Sequence, residues 1–345
     1  MQVLEQVALA PYTTFGIGGP ARWFIEASTE DEVVEAVRFA REQKVQLFVL
    51  GGGSNLLVSD AGFPGVVLHI ALKGIQQQTS QERTHFAVAA GEDWDAFVSL
   101  AVEQNCGGIE CLAGIPGSVG GTPVQNVGAY GQEVAETIRS VRVLDLQSLN
   151  FAQLRNQECK FEYRKSIFNS SDRGRHIVLR VDYMLTSNAS SAISYVDLRQ
   201  HFQGKSSPPT LIEVSSAVRE IRGRKGMLIV PGDADCRSAG SFFKNPIVSG
   251  EHFSRIVAEA GGLNVPRYPA GNGLIKLPAA WLLDQAGFHK GYALGRAGIS
   301  SKHTLALINR DGASAGDIAA LRDIIVAKVL EKFAIRLEPE PVWVG

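Results

Sequence analysis

The sequence predicts an α+β protein built in three parts, and three observations carry that prediction. Over the first 75 residues, short apolar strand patterns alternate with one helical pattern. After a polar break, strand patterns resume and enclose a long glycine-rich stretch. Residues 236–313 then follow a pattern of their own: turn, helix, helix, strand. At 345 residues the chain is long for a single core and comfortable for two or three.

The elements follow in order. ARWFIEA (21–27) reads as a strand. Ser28 with Asp31 and Thr29 with Glu32 both stand at capping-box spacing. The segment 31–43 carries apolar residues at 33, 34, 37 and 40, which is helical period. VQLFVL (45–50) and GVVLHI (65–70) are strands, completing a small α/β unit. The polar segment IQQQTSQERTH (75–85) is the first boundary. FAVAAG (86–91) restarts the strand pattern and 93–105 is an amphipathic helix. SVRVLDL (140–146) and HIVLRVDYML (176–185) are strands. Thr210 caps a helix running to about Arg222, and a second boundary follows near 225–235. Beyond it come a helix over 249–260 stopped by Gly261–Gly262 and a helix over 277–287 with Pro278 near its start and Gly287 at its end. TLALINR (304–310) is a strand, and Ser314 with Asp317 opens a last helix to about Phe333.

Composition narrows the function. Apolar residues at 45% and charged residues at 20% are those of an ordinary globular protein. Thirty-four basic residues against 35 acidic ones leave a net charge of −1. That balance gives no electrostatic footprint for nucleic acid or an anionic membrane. No run of apolar residues is long enough to span a bilayer, and the N-terminus lacks a basic segment before an apolar run. The four cysteines form no C-x-x-C pair and the seven histidines show no metal-ligand spacing. The expectation is reduced thiols in a cytoplasmic protein with no metal site.

LGGGSNLLV (50–58) takes a strand into three glycines, then Ser54 and Asn55. Such a run lets backbone N–H groups approach an anion, although a tight turn would use the same residues. AGIPGSVGGTPVQNVGAYG (113–131) is a second glycine-rich cradle, and loops of that length inside a domain are usually functional. GIGGPA (16–21) has Rossmann-like spacing but no strand before it and no helix after it. No P-loop motif occurs.

The order of these blocks resembles a known family. LGGGSN, then GIPGSVGG and QNVGAYG, is similar to the FAD-binding domain of vanillyl-alcohol-oxidase-type (PCMH-type) flavoproteins. TFGIGGPA, YRKSIF (163–168), AGSFFKNP (239–246), AAWLLDQAG (279–287) and LEPE (337–340) extend the resemblance, in particular to the UDP-N-acetylenolpyruvoylglucosamine reductase (MurB) family. VQNVGAYG and the tyrosine-bearing segment near 195 look like its larger subtype, which has a substrate-covering loop. The resemblance implies a two-part PCMH-type FAD-binding domain, 1–74 and 75–225 joined by 320–345, plus a C-terminal α/β substrate-binding domain, 226–319. It implies non-covalent FAD held by Leu50, Gly51, Gly52, Gly53, Ser54, Asn55, Leu56, Ile115, Pro116, Gly117, Val119, Gly120, Gly121, Thr122, Gly128, Ala129 and Ile177. NADPH would be the co-substrate, and a UDP-sugar the second substrate, in a monomer serving peptidoglycan synthesis.

The implied chemistry reduces an enolpyruvyl ether conjugated to a carboxylate. Arg164 matches the cation that stabilises the enolate-like intermediate, Ser241 the proton donor to carbon, and Glu340 a second stabiliser. A carboxylate beside that dianion would need a raised pKa and a shared proton. The two phenylalanines after Ser241 would exclude water, and Lys244 would ease a transient alkoxide. No histidine or carboxylate spacing near Ser241 points to a base. Tyr130, Tyr195, Lys225, Asn245 and Gln285 match substrate contacts. The insertion GMLIVPGDADCRS, where the family's linker is short, leaves Arg222 and Arg224 as alternatives to Lys225, and Val342 replaces a basic residue of some relatives. Two rival readings are a flavin-dependent sugar or alcohol oxidase of the same superfamily and a non-catalytic nucleotide-sugar sensor. The absence of histidine from 50–58 argues against the first, and the presence of Arg164, Ser241 and Glu340 against the second.

Overall fold

The computed structural model describes residues 1–191, 193–259 and 264–345, Ala234 by its backbone alone. The chain forms two compact units. Met1–Val7, Ala21–Gly53 and Phe63–Leu228 make unit one, and Ala8–Pro20, Ser54–Gly62 and Ile229–Gly345 make unit two.

Among its described residues, unit one holds two large sheets and a two-stranded hairpin. The first runs in the order Leu4–Ala8, Pro20–Ala27, Phe63–Ile70, Leu47–Leu50. Pro20–Ala27 and Leu47–Leu50 both lie parallel to Phe63–Ile70, with Ala27 opposite Ile70 and Leu50 opposite His69. Parallel strands need a crossover, and the helix Glu30–Glu42 supplies it. Of the two capping pairs offered by the sequence, Thr29 and Glu32 form the box. Ser28 adds its own N–H and hydroxyl to the same Glu32 carboxylate. Val33, Val37 and Ala40 are buried as the spacing predicts, joined by Ala36, while Val34 is only half-buried.

The second sheet of unit one runs Phe151–Arg155, Ile138–Asp145, His176–Ser187, Arg83–Ala89, Ile75–Ser80, with Cys106–Gly107 also on His176–Ser187. Ile75–Ser80 lies in the segment whose polarity reads as a boundary. It pairs antiparallel with Arg83–Ala89, Gln77 opposite Phe86. Residues 76–80 are all exposed, so this edge strand has no buried face and no alternation to detect. The helix Trp94–Glu103 packs its aromatic residues on the sheet: Phe97 lies 5.1 Å from the Tyr183 ring and 5.5 Å from Phe86.

Unit two is built from short strands and three longer helices, Gly250–Glu259, Ala279–Gln285 and Ala315–Phe333. Ser314 and Asp317 complete a capping box at the start of the last. Pro278 is the N-cap of Ala279–Gln285, and Gly287 follows its end at φ +93°. The helix stop at Gly261–Gly262 lies outside the described residues. The apolar run 304–310 gives a shorter strand, Leu307–Asn309, paired with Ala297–Ile299. Val342–Val344 lies parallel to Leu56–Val58. Phe15, Leu57, Phe242, Phe243, Leu282 and Ile318 belong to one apolar core.

Candidate active site

In unit one the two glycine-rich loops meet. A Cβ on Gly52 would come within 2.5 Å of the Gly117 Cα, and one on Gly51 within 2.6 Å of the Ser118 Oγ. The Ser118 hydroxyl also accepts the Gly52 N–H at 3.2 Å. Gly53 (φ +62°) and Gly117 (φ +130°) hold backbone shapes that side chains rarely adopt. Glycine at 52 and 117 therefore lets two backbones touch. A cradle that a Cβ would fill fits the pyrophosphate of FAD.

The other expected cofactor contacts differ in their surroundings. Leu50 is the buried last residue of its strand, while Ile115 and Pro116 are half-buried. Residues 119–121 form a single turn whose N–H groups bond inside the protein: Val119 to Glu92 O, Gly120 to Ala90 O and Gly121 to Ser118 O. Thr122 points inward, its hydroxyl 2.7 Å from the Tyr183 hydroxyl. Burial raises the Tyr183 phenol, partly opposed by that bond. Ile177 is 1% exposed, opposite Leu144 in the sheet. Ser54, Asn55 and Leu56 belong to unit two, where Asn55 donates to the Glu340 carbonyl at 3.2 Å and accepts the Val342 N–H at 2.9 Å.

Gly128–Ala129 and Gln132–Glu133 form a minimal hairpin. Its turn residues, Tyr130 and Gly131, have φ of +49° and +89°. Two positive φ values are what a two-residue hairpin requires, and a bulky tyrosine there is strained. The tyrosine so held is 9% exposed and meets Tyr195 edge-to-face at 5.3 Å. Burial raises the Tyr130 phenol, and the Arg222 and Lys225 charges oppose that. Arg164, itself at φ +55°, donates to the Gly128 carbonyl at 2.8 Å and lies 5.1 Å from the Tyr163 ring. The arginine and the tyrosine hairpin thus form one surface of unit one.

The three candidate cations separate by environment. Arg222 is 6% exposed and donates to the carbonyls of Gly114 and Met227. Burial lowers its pKa, opposed in part by its electrostatic interactions with Tyr130 and Asp95. Arg224 is exposed and pairs with Glu220 at 3.5 Å. Lys225 lies 5.9 Å from the Tyr130 ring and 2.6 Å from the Asp197 carboxylate. Asp197, His201, Arg224 and Lys225 help line a cavity of about 320 Å³. Lys225 therefore stands beside both tyrosine and cavity, whereas Arg222 braces the loop beneath.

In unit two the segments AGSFFKNP and LEPE run antiparallel. Glu340 N donates to Phe242 O at 2.8 Å, Lys244 N to Glu338 O at 3.0 Å, and Phe243 bridges Pro339. Ser241 and Glu340 are thereby brought close in the backbone. Phe242 and Phe243 are 2% and 1% exposed, their rings 5.2 Å apart. Lys244 extends to the Glu338 carboxylate at 3.2 Å. The Ser241 Oγ instead lies 3.0 Å from the His303 Nε2. The sequence places Lys244 near Ser241 and no histidine at a recognisable spacing. His303 is 62 residues away, so spacing carried no signal. Asn245 caps a helix through its side-chain carbonyl, accepting Ala279 N–H at 2.8 Å. Gln285 ends that same helix.

The profile described as the UDP-N-acetylenolpyruvoylglucosamine reductase C-terminal domain matches residues 231–344, and that of an FAD-binding domain matches 21–148. The UDP-N-acetylenolpyruvoylglucosamine reductase of Thermobifida fusca is 45% identical over 99% of this chain and 98% of that relative. The enzyme of the same name from Streptomyces coelicolor is 44% identical over 100% of this chain and 91% of its own. A solved structure of UDP-N-acetylenolpyruvylglucosamine reductase (MurB) from Thermus caldophilus superimposes with a TM-score of 0.66 at 28% identity, covering all of both chains. Identity at this level along the whole length, with both glycine loops and the AGSFFKNP–LEPE pairing in place, makes the chain a member of the UDP-N-acetylenolpyruvoylglucosamine reductase family.

Proposed function

We propose that this chain reduces UDP-N-acetylenolpyruvoylglucosamine to UDP-N-acetylmuramate, at the expense of NADPH and through bound FAD, in the cytoplasmic synthesis of peptidoglycan precursors. The monomer is the proposed active form, and the three-part division at 74, 225 and 319 is the proposed functional one. Among the described residues, no helix is long and apolar enough to cross a membrane. The observation that supports the reading most is the pairing of AGSFFKNP with LEPE, which sets Ser241 beside the backbone of Glu340.

Bound FAD supplies the hydride, taken from NADPH. Hydride addition at the terminal CH2 drives charge onto the substrate carboxylate. Arg164 is the guanidinium that grips this carboxylate, always charged and able to bond it twice. Glu340 shares a proton with the same developing charge, because an ionised carboxylate there would repel it. Ser241 transfers its hydroxyl proton to the carbon bearing the carboxylate. The alkoxide left behind takes the Nε2 proton of His303, 3.0 Å away, and solvent restores the imidazole proton. Phe242 and Phe243 keep bulk water from the serine. Tyr130, Tyr195, Lys225, Asn245 and Gln285 anchor the UDP-sugar.

The test is optical. The purified protein should be yellow, bleach with NADPH, and recover its colour on adding UDP-N-acetylenolpyruvoylglucosamine under anaerobic conditions. A preparation that cannot be reconstituted with FAD, or that stays bleached with this acceptor, would overturn the reading.

A further inference from the structure

The segment 226–238 is the insertion that sets this chain apart at the boundary after Lys225, and its second half is anchored in unit two. Asp235 binds Ser301 twice: the Ser301 N–H donates to its Oδ1 at 2.9 Å, and the Ser301 hydroxyl to its Oδ2 at 2.6 Å. Asp233 holds the neighbouring Lys302 ammonium. The Asp233 carboxyl is lowered and the Lys302 amine raised, each chiefly by the hydrogen bond to the other. Two further bonds fasten the insertion: Asn309 N donates to Arg237 O at 3.0 Å, and Thr14 Oγ1 to Ser238 O at 2.6 Å.

Ser301 and Lys302 immediately precede His303. The segment between the strands Ala297–Ile299 and Leu307–Asn309 is a turn, closed by Ser300 N donating to Ala306 O at 2.9 Å and Ala306 N to His303 O at 3.1 Å. Its inner side is held by Ser300, which is fully buried and accepts the N–H groups of Lys302 and His303 at 3.0 and 3.3 Å. Its far end is held by Leu305, whose carbonyl accepts Phe242 N–H at 2.7 Å. The two aspartates add a side-chain restraint on the residues just before the imidazole. A bidentate carboxylate and an ion pair on successive residues define both position and orientation, which neither would do alone.

We propose that Asp235 and Asp233 are positioning residues for proton delivery: through Ser301 and Lys302 they hold the His303 imidazole against the Ser241 hydroxyl. The proposal deepens the functional reading above and rests on it. Small displacements of a proton-transfer pair are costly, about 10- to 100-fold in rate for a shift near 1 Å. The aspartates touch neither cofactor nor substrate in this role, so their effect is confined to the step that uses Ser241.

The experiment separates the two half-reactions by stopped flow on the FAD-loaded enzyme. Asp235→Ala and Asp233→Lys should leave FAD content and reduction by NADPH unchanged and slow reoxidation by UDP-N-acetylenolpyruvoylglucosamine by about 10- to 100-fold. Asp235→Asn, which keeps one acceptor, should lose less. The exchange Asp233→Lys with Lys302→Asp should recover to within about threefold of wild type, because only the sign is swapped. Adding His303→Ala to Asp235→Ala should cost no more than His303→Ala alone, as expected for residues acting through one another. Wild-type reoxidation in the Asp235→Ala and Asp233→Lys variants, strict additivity with His303→Ala, or equal loss in both half-reactions would overturn the proposal. If wild type accepts electrons from NADPH but does not pass them to this acceptor, the functional reading fails. The clamp is then judged by the imidazole NMR signal of His303, and an unchanged signal in Asp235→Ala would overturn it too.

Discussion

The Ser241 hydroxyl and the His303 imidazole stand 3.0 Å apart, joined across 62 residues by the bond from Phe242 N to Leu305 O. Serine is too weak an acid to be restored quickly from an apolar pocket without a partner. Ser241→Ala should leave flavin reduction by NADPH intact and lower reoxidation by several orders of magnitude. His303→Ala should lower it by about 100-fold, the usual range for losing a positioned acid–base group. Rapid mixing with each substrate separately measures both, and a His303→Ala enzyme that reoxidises at the wild-type rate would remove the relay.

Gly52 and Gly117 are a second relationship with a direct consequence. In Gly52→Ala the new methyl would sit 2.5 Å from backbone, which cannot rotate away. Separating the loops costs about 1–3 kcal/mol, so FAD affinity should fall about tenfold or more. The flavin absorbance retained per protein after gel filtration reads this. Full retention would show that the loop contact does not hold the cofactor.

Lys225 is paired with Asp197 at 2.6 Å, with both side chains about one-third exposed. An incoming diphosphate must replace that carboxylate as the partner of the lysine. Asp197→Asn should therefore lower the KM for the UDP-sugar by about two- to fivefold, the scale of a partly exposed pair. Lys225→Ala should raise it. A higher KM in Asp197→Asn would mean the carboxylate supports the site rather than competing for it.

Burial makes the thiols unequal. Cys111 and Cys159 are both pushed up to about 12, chiefly by desolvation, with nearby carboxylates adding to the shift. A raised thiol pKa keeps the unreactive protonated form up to that pH, so raising the pH from 7 to 9 should not expose either. Cys106 is also buried, while Cys236 is half-buried. A disulfide reagent should label one thiol quickly in the native protein and four after denaturation. Fast labelling of Cys111 or Cys159 at pH 8 would show that unit one opens readily.

Local chemistry was legible in the sequence wherever neighbours in the chain are also neighbours in space. Helix starts at Thr29, Thr210 and Ser314 follow from residues three apart that must meet within one turn. The glycine runs announced a close approach of two backbones, which glycine alone allows, and the ordered motifs announced the family. Other features are set by long-range pairing. The exposed strand Ile75–Ser80 exists only because Arg83–Ala89 offers it a partner. Lys225 is distinguished from Arg222 only by burial, which puts one cation in the wall of a cavity and the other among carbonyls. His303 reaches Ser241 through a loop held by Asp233 and Asp235, none of whose spacings is periodic. Sequence alone determined the helix caps, the glycines that let the two loops meet, and the family. Tertiary structure decided that Arg222 is buried among carbonyls while Arg224 and Lys225 line the cavity, and which imidazole meets the serine, because these depend on hydrogen bonds and burial between distant segments.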